Sequence, residues 1–564
     1  MLTRRELLKR SLVGGGGLMI MPTALLRTAD ARAANSVANT LTKYLEPVPL
    51  PGAGIVVAEQ RAGRYAFTQT LITKQLHPQL PPTPLFAYDD GSGLAGQAGS
   101  LGPAIVAQKG VGLNVSFTNM LPATYPSWIP VDTRLTPLGN EVRVMTHLHG
   151  GFVAGDSDGN PVITPNGFGR RQTQRVSYPN AQAATLLWFH DHGLGATRLN
   201  VFAGLAAPYI IRDSNDTGAE PNPIGIPGGP YEIPLVVQDR QFNPDGTFLY
   251  GDDLDDLGVT WIGEYFGDVF LVNGKVWPYL NVEPRLYRFR ALNGCNARIL
   301  NLDIGGAQFW EIGAEGGMFD KPVPVKQLVM APAERADLIV DFRPLAGMTV
   351  TMKNNSPPPA VVTPAPSLTS VMQIRVGTTV SEPGPSTIPA TLPSVAANLP
   401  EPSVKRFNTL NEIGAETSSW FLDINGSKFM DGPATETPKV GAVEDWYYVN
   451  LTGDTHPMHV HLVQFQVIGR TPFDANAYQA VYGTPTGVPA GFDPRPFATG
   501  PMQPPAPEER GFKDTVKANP GFFTIVRAKF DLPPGVKAPQ SYVHHCHIVE
   551  HEDNDMMRPF VVSK

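Results

Sequence analysis

The chain has 564 residues, a length that suggests three or four domains at about 150 residues each. Glycine (56) and proline (57) make up about a fifth of it, against a usual share of roughly 12%, and charged residues make up only 17%. With 42% hydrophobic residues and two cysteines, the profile excludes a coiled coil, a disordered chain and a disulfide-stapled miniprotein, and it favours a β-rich, turn-rich protein.

The N-terminal segment reads as an export signal. Arg4 and Arg5 precede a weakly apolar run from Ser11 to Leu26, and Ala31-Arg32-Ala33 offers a small-x-small cleavage site. Adjacent arginines before a glycine-rich run match a twin-arginine signal, a route for folded proteins. Residues 1–33 are therefore expected to be removed, and the mature chain to be periplasmic or extracellular. The run is shorter than the ~18 residues a bilayer span needs, and no other stretch is apolar enough, so no span is expected in the mature chain. Removing residues 1–33 takes the net charge from −7 to about −11, which disfavours nucleic acid as a partner.

Downstream, short β-type runs recur between turn residues. Examples are Gly112–Asn119, Leu286–Asn293 and Asp445–Leu451. Long helical patterns are absent. Phe270-Leu-Val-Asn-Gly274 and Phe421-Leu-Asp-Ile-Asn-Gly426 resemble each other, and each precedes one of the last two runs. This points to a sandwich unit used more than once. Breaks rich in Pro, Ser, Thr, Asn or Asp lie at 213–223, 354–366 and 382–402. They divide the mature chain into three units, 34–215, 216–385 and 386–564. Segments 405–420 and 470–515 read as loops.

Eleven of the twelve histidines fall in four clusters. In chain order these are His147-Leu-His149-Gly, Trp-Phe-His190-Asp-His192, His456-Pro-Met-His459-Val-His461 and His544-His545-Cys546-His547-Ile-Val-Glu-His551. Each contains a His-x-His step. Residues i and i+2 of a strand face the same side, so each step offers two imidazoles on one face. Eight such imidazoles are too many for one metal and suit a multinuclear cluster. Cys546 lies between two of them and faces the other way. Its downstream spacing is Cys-x4-His551-x4-Met556, and thiolate, imidazole and thioether make a blue-copper ligand set. His456 is the natural second imidazole, because Pro457 restricts the backbone between it and His459. Zinc explains neither so many imidazoles nor the single thiolate.

These four motifs, with Val272-Asn-Gly-Lys-Val-Trp-Pro and Tyr287-Arg-Phe-Arg-Ala-Leu-Asn, resemble those of the multicopper oxidases. The chain is similar to the three-domain bacterial laccases of spore-coat type and to the bilirubin oxidases. The resemblance covers nearly the whole mature chain. It implies an all-β fold of three consecutive cupredoxin-like Greek-key sandwiches, with four copper ions. It implies a type 1 copper on His456, Cys546 and His551 with Met556 axial. It implies a type 2 copper on His147 and His459, and a type 3 pair on His149, His190, His192, His461, His545 and His547, at the interface of the first and third units. His77 and His544 are read as non-ligands.

Two carboxylates stand near the motifs. Asp158 follows the first histidine pair, and Glu552 follows His551. Reducing O2 to water consumes protons, so both are candidate catalytic proton donors. Asp191 is read as a structural hydrogen-bonding group and Cys295 as a spare thiol. His456 and His551 are expected to bring ring edges to the surface for electron entry. The expected activity is one-electron oxidation of phenols, aromatic amines or bilirubin-like compounds, coupled to reduction of O2, by a monomer. Oxidation of Mn(II), Cu(I) or Fe(II) is the alternative within the class. A non-catalytic exported scaffold is the remote one.

Overall fold

The computed structural model describes residues 36–564 apart from residues 56, 59, 61–62, 93–100, 137–138, 251–260, 359, 363–364, 395–397, 414–420 and 430. The export signal expected at 1–33 lies outside the described residues. Apart from one two-stranded ribbon, the described strands form six sheets, arranged as three successive pairs. Strands between Tyr65 and Arg212 make two four-stranded sheets. Strands between Glu232 and Val376 make a seven- and a five-stranded sheet. Strands between Val404 and Val562 make a six- and a four-stranded sheet. This is the all-β class expected.

One pairing pattern recurs in all three. Tyr65–Lys74 runs parallel to Leu113–Asn119, Glu232–Arg240 to Leu286–Asn293, and Val404–Ile413 to Val443–Asn450. Parallel neighbours cannot be joined by a hairpin, so the chain crosses to the opposite sheet between them. The two resembling segments occupy equivalent places. Val269–Val272 pairs antiparallel with Glu232–Arg240, and Phe421–Ile424 with Val404–Ile413. Each ends in an Asn-Gly turn with positive φ at both residues, Asn273 and Gly274 in one, Asn425 and Gly426 in the other. Tight hairpins favour Asn-Gly for this reason. The expected loop at 405–420 is corrected here: Val404–Ile413 is a strand held on both sides, and 414–420 lies outside the described residues. The segment 470–515 also carries structure, the helix Ala475–Tyr482, capped by Asp474.

Leu113–Asn119 buries alternate residues, as a half-exposed strand does, but Leu286–Asn293 and Val443–Asn450 are buried throughout. The outward side chains of the former are Arg288 and Arg290, and Asp216 accepts hydrogen bonds from both. The 213–223 break is thus anchored by buried charge.

Aromatic side chains join the two sheets of the first and of the third sandwich and set which face each functional strand presents. Phe67, Tyr88 and Phe117 pack on Phe189, with ring centroids 4.9–5.8 Å apart. With Phe189 turned into this core, His190 and His192 must face away. In the third sandwich Trp446 packs on Phe560 at 5.5 Å, and Cys546 joins the same core. His545 and His547 therefore face out of it. No helix among the described residues is long and apolar enough to cross a membrane.

Candidate metal centre

Strand register brings the histidines together. Thr146–His149 pairs antiparallel with Thr185–Asp191, so that His147 lies opposite His190. His456–Val460 pairs with Gln540–Cys546, so that His459 lies opposite His545 and Met458 opposite Cys546. The histidine faces of the first and third sandwiches then abut. His147 stacks on His461 at 3.9 Å and His149 on His459 at 3.6 Å. The result is one cluster of eight imidazoles, each at most 1% exposed. His192, His461 and His545 converge through Nε2 at 3.2–3.3 Å. The rings of His149, His190 and His547 lie 4.9–5.7 Å apart.

The outer nitrogens are tied to oxygen acceptors. His147 Nδ1 donates to Asp158 O (2.5 Å), His190 Nδ1 to Asp191 O (2.8 Å) and His459 Nδ1 to Asp514 O (2.8 Å). His461 Nδ1 donates to Asp158 Oδ2 (2.7 Å), and His545 Nδ1 to Cys546 O (3.0 Å). The inner nitrogens are buried and have no hydrogen-bond partner. These are Nε2 of His147, His190 and His459 and Nδ1 of His149; Nδ1 of His192 and both nitrogens of His547 are also without a hydrogen-bond partner. Buried polar atoms are almost always satisfied. Orphaned lone pairs pointing into one space, with the outer N–H held by a fixed acceptor, are the pattern of a metal-ligating histidine. The residues present therefore fit bound metal.

The second grouping sits on the other face of the same strand. Cys546 Sγ is 3.5 Å from His456 Nδ1 and 3.7 Å from His551 Nδ1, and those two nitrogens are 3.2 Å apart. His551 stands on the short helix Val549–Asp553. Met556 is fully buried in the same core, held by backbone bonds from its N–H to His551 O and from Cys546 N–H to its own carbonyl, both 3.0 Å. A thiolate, two imidazoles and a thioether so placed suit copper.

Models described as multicopper oxidase match residues 138–216 and 400–564. The laccase of Bacillus subtilis (strain 168) is 35% identical over 545 residues, which is 93% of this chain and 99% of that protein. Multicopper oxidase LPR1 homolog 5 of Oryza sativa subsp. japonica is 37% identical over 556 residues, 92% of this chain and 84% of that protein. This chain belongs to the multicopper oxidases. The crystal structure of the McoA multicopper oxidase of Aquifex aeolicus matches it with a TM-score of 0.73 at 26% identity, covering 93% of this chain and all of that one. The protein is accordingly an oxidoreductase that binds copper and uses O2 as acceptor.

The electrostatics of the oxidase suit this role. Burial holds His192 down to about 3 and His459 to about 4, and it holds the other six cluster imidazoles well below 6.5. All eight are neutral at physiological pH, which is the ligating form. Burial pushes the Cys546 thiol well above its ordinary range, so a metal ion bound there would displace a proton. Both candidate proton donors are buried. Burial alone raises Asp158 well above the usual carboxylate range; burial and then the charge of Asp553 do the same for Glu552. Glu552 accepts from Thr197 Oγ1 at 2.7 Å and lies 3.2 Å from His545 Nδ1 and 3.4 Å from His192 Nδ1. Asp158 reaches the cluster because Gly159 follows it: a Cβ there would lie 2.8 Å from His147 Cα.

Other expectations fare differently. Asp191 is structural, accepting from the N–H groups of Met145 and Gly193 and from Asn200. His77 is bound to Thr42 O, and His544 lies between Tyr448 and Glu436. Cys295 is buried and unbonded to Cys546. The surface ring edges expected for His456 and His551 are corrected: both rings are buried. Thr452 Oγ1 is 2.6 Å and Glu412 Oε1 3.7 Å from His456 Nε2, and Glu264 Oε1 is 3.4 Å from His551 Nε2. These covering residues were missed from sequence, as was Asp514. Burial alone would raise Asp514, but the Arg335 guanidinium holds it below its ordinary value. Only the Lys-Asp-Thr at 513–515 marks it in sequence, and nothing in that tripeptide signals a metal site.

Proposed function

We propose that this oxidase draws electrons from small organic reductants, namely phenols, aromatic amines or bilirubin-like compounds, and holds four copper ions. In this reading the type 1 ion takes His456, Cys546, His551 and axial Met556. The type 2 ion takes His147 and His459, and the type 3 pair takes His149, His190, His192, His461, His545 and His547. Bound copper supplies one-electron acceptance at the cysteine site and, at the histidine cluster, the reduction of O2 with four electrons and four protons to two waters. The observation that carries the reading is the set of orphaned ring nitrogens gathered in one cluster, to which the chain neighbours of Cys546, His545 and His547, both belong. Because His545 and His547 flank Cys546 in the chain, a single tripeptide joins the two sites. Asp158 and Glu552 stay protonated in their buried surroundings and act as proton donors on two sides of the cluster. The test is a copper count with steady-state turnover of a phenol, bilirubin, Cu(I), Mn(II) and Fe(II). Four coppers per chain and dominant turnover of an organic substrate are expected; fewer coppers, or turnover of metal ions alone, would overturn the reading.

The reading extends to the whole chain. Residues 1–33 act as a twin-arginine signal, sandwich units follow at 34–215, 216–385 and 386–564, and the product is a periplasmic or extracellular monomer. N-terminal sequencing and sedimentation of the exported protein test this.

A second reading, oxidation of a metal cation, is favoured by one observation. Glu264 and Glu412 stand against the outer nitrogens of His551 and His456, and Asp454 hydrogen-bonds Glu264. Glu412 remains 24% exposed, so a cation can reach this carboxylate group from solvent. The double substitution Glu264→Gln and Glu412→Gln distinguishes the readings. If a cation is the substrate, metal-ion turnover collapses while phenol turnover persists.

A further inference from the structure

The middle sandwich supplies none of the candidate copper ligands, yet one of its arginines ends at the histidine cluster. Arg335 opens the strand Arg335–Asp341 and is 2% exposed. Its Nε donates to Leu186 O (3.2 Å) in the first sandwich, and its Nη1 to Ala333 O (3.0 Å) in its own. The guanidinium then grips Asp514 of the third sandwich with both arms, Nη1 to Oδ1 at 2.8 Å and Nη2 to Oδ2 at 2.6 Å. Such a fork leaves the carboxylate one orientation.

Asp514 Oδ1 accepts in turn from His149 Nε2 at 3.1 Å, with Thr515 Oγ1 also 3.3 Å from that nitrogen. This sets His149 apart from the five rings that tie Nδ1 to an oxygen. His147, His190, His459, His461 and His545 tie Nδ1 outward and present Nε2. His149 ties Nε2 outward and presents an orphaned Nδ1. A neutral imidazole carries one proton, and a carboxylate locked by arginine can only accept. The proton must then sit on Nε2, which frees the Nδ1 lone pair. The glycine after His149 belongs to the same arrangement. Gly150 has φ +80°, and a Cβ there would lie 2.5 Å from Asp514 Oδ2 and 2.6 Å from Arg335 Nη2.

We propose that the Arg335–Asp514 pair is a positioning device through which the middle sandwich holds His149 in the tautomer and orientation needed to complete the copper site it shares with His190 and His547. The proposal rests on the ligand assignment above. It predicts that removing the carboxylate harms that one site and spares the cysteine site, which neither residue touches.

The test begins with the copper-loaded wild-type enzyme. Four coppers, with one pair silent in electron paramagnetic resonance and a near-ultraviolet band, establish the ligand reading; fewer coppers on the wild-type enzyme would overturn that reading, whereas a full wild-type count with an unaffected Asp514→Asn would overturn the positioning role alone. Asp514→Asn is then compared with Lys517→Gln, which removes another buried ion pair between the same sandwiches, Lys517 Nζ to Glu334 Oε2 at 2.8 Å. Asp514→Asn must turn an NH2 donor onto either Arg335 Nη2 or His149 Nε2, a conflict that Asp158→Asn does not meet; it is expected to weaken copper binding at the cluster by roughly 10–100-fold and to unmask the silent pair, with the blue band intact. Lys517→Gln is expected to keep the wild-type signals. Arg335→Lys, which retains the charge and loses the fork, is expected to fold and show the same change in smaller degree. Wild-type copper count and resonance spectrum in Asp514→Asn would overturn the proposal. If that variant does not fold, wild-type signals in Arg335→Lys would overturn it equally.

Discussion

Replacing Asp158 by asparagine separates two jobs of one carboxyl group. Asp158 is fully buried, and its Oδ2 lies 2.7 Å from His461 Nδ1. An amide oxygen can accept the same hydrogen bond, and the backbone carbonyl that holds His147 is untouched. Ring orientation and copper content should therefore survive, at a cost of about 1 kcal/mol for a weakened hydrogen bond. The proton does not survive. Burial keeps Asp158 protonated well above the ordinary carboxylate range, and an amide cannot replace that acid. A positioned general acid contributes roughly 10²–10⁴-fold, or about 3–5 kcal/mol of barrier. The assay is stopped-flow spectroscopy in two halves. Anaerobic bleaching of the blue band by a phenol should proceed as in wild type, because Cys546, His456 and His551 are untouched. Return of the band on mixing with O2 should slow by roughly 10²–10⁴-fold. A slowing of less than about threefold in the second half would refute the proton role. Equal slowing of both halves would show that the substitution disturbs structure instead.

Three further outcomes are expected. Met556→Leu replaces a fully buried thioether with an apolar side chain of similar volume, so it should cost less than about 1.5 kcal/mol and raise the potential of the blue band in a redox titration; a fall in potential would contradict an axial role. Burial pushes Asp423 from 3.8 up to about 7. The folded state therefore holds a proton that the unfolded chain releases near 3.8, and stability falls as pH rises between about 4 and 7, by up to about 4 kcal/mol. Asp423→Asn should flatten the thermal midpoint across that window, and an unchanged pH slope would count against it. Stripping copper with a chelator should lower the thermal midpoint, and adding copper back should restore it, because the metal binds the folded cluster only.

Much of the site is legible in local pattern. Each His-x-His step places its two rings on one side, with centroids 5.0–6.1 Å apart, as strand alternation requires. Cys546 faces the opposite way into the core for the same reason. The Asn-Gly segments mark equivalent turns in two sandwiches, because that dipeptide tolerates the backbone the turn needs. Composition and spacing also carry the fold class, since turn-dense sandwiches demand glycine and proline.

What escaped is everything set by long-range register. His149 and Asp514 are 365 residues apart, and Arg335 comes from a third sandwich, so no spacing rule connects them. Glu264 and Glu412 cover the imidazoles expected at the surface, because the middle sandwich and the strand Val404–Ile413 close over them. The sequence by itself determined which side chains gather as candidate metal ligands and on which face of its strand each stands. That information lies in residues two apart on one strand. Only the tertiary structure decided which nitrogen of each ring turns inward, what holds it there and what lies between the candidate ligands and solvent. Those properties depend on hydrogen bonds between strands of different sandwiches, and such partners are chosen by packing.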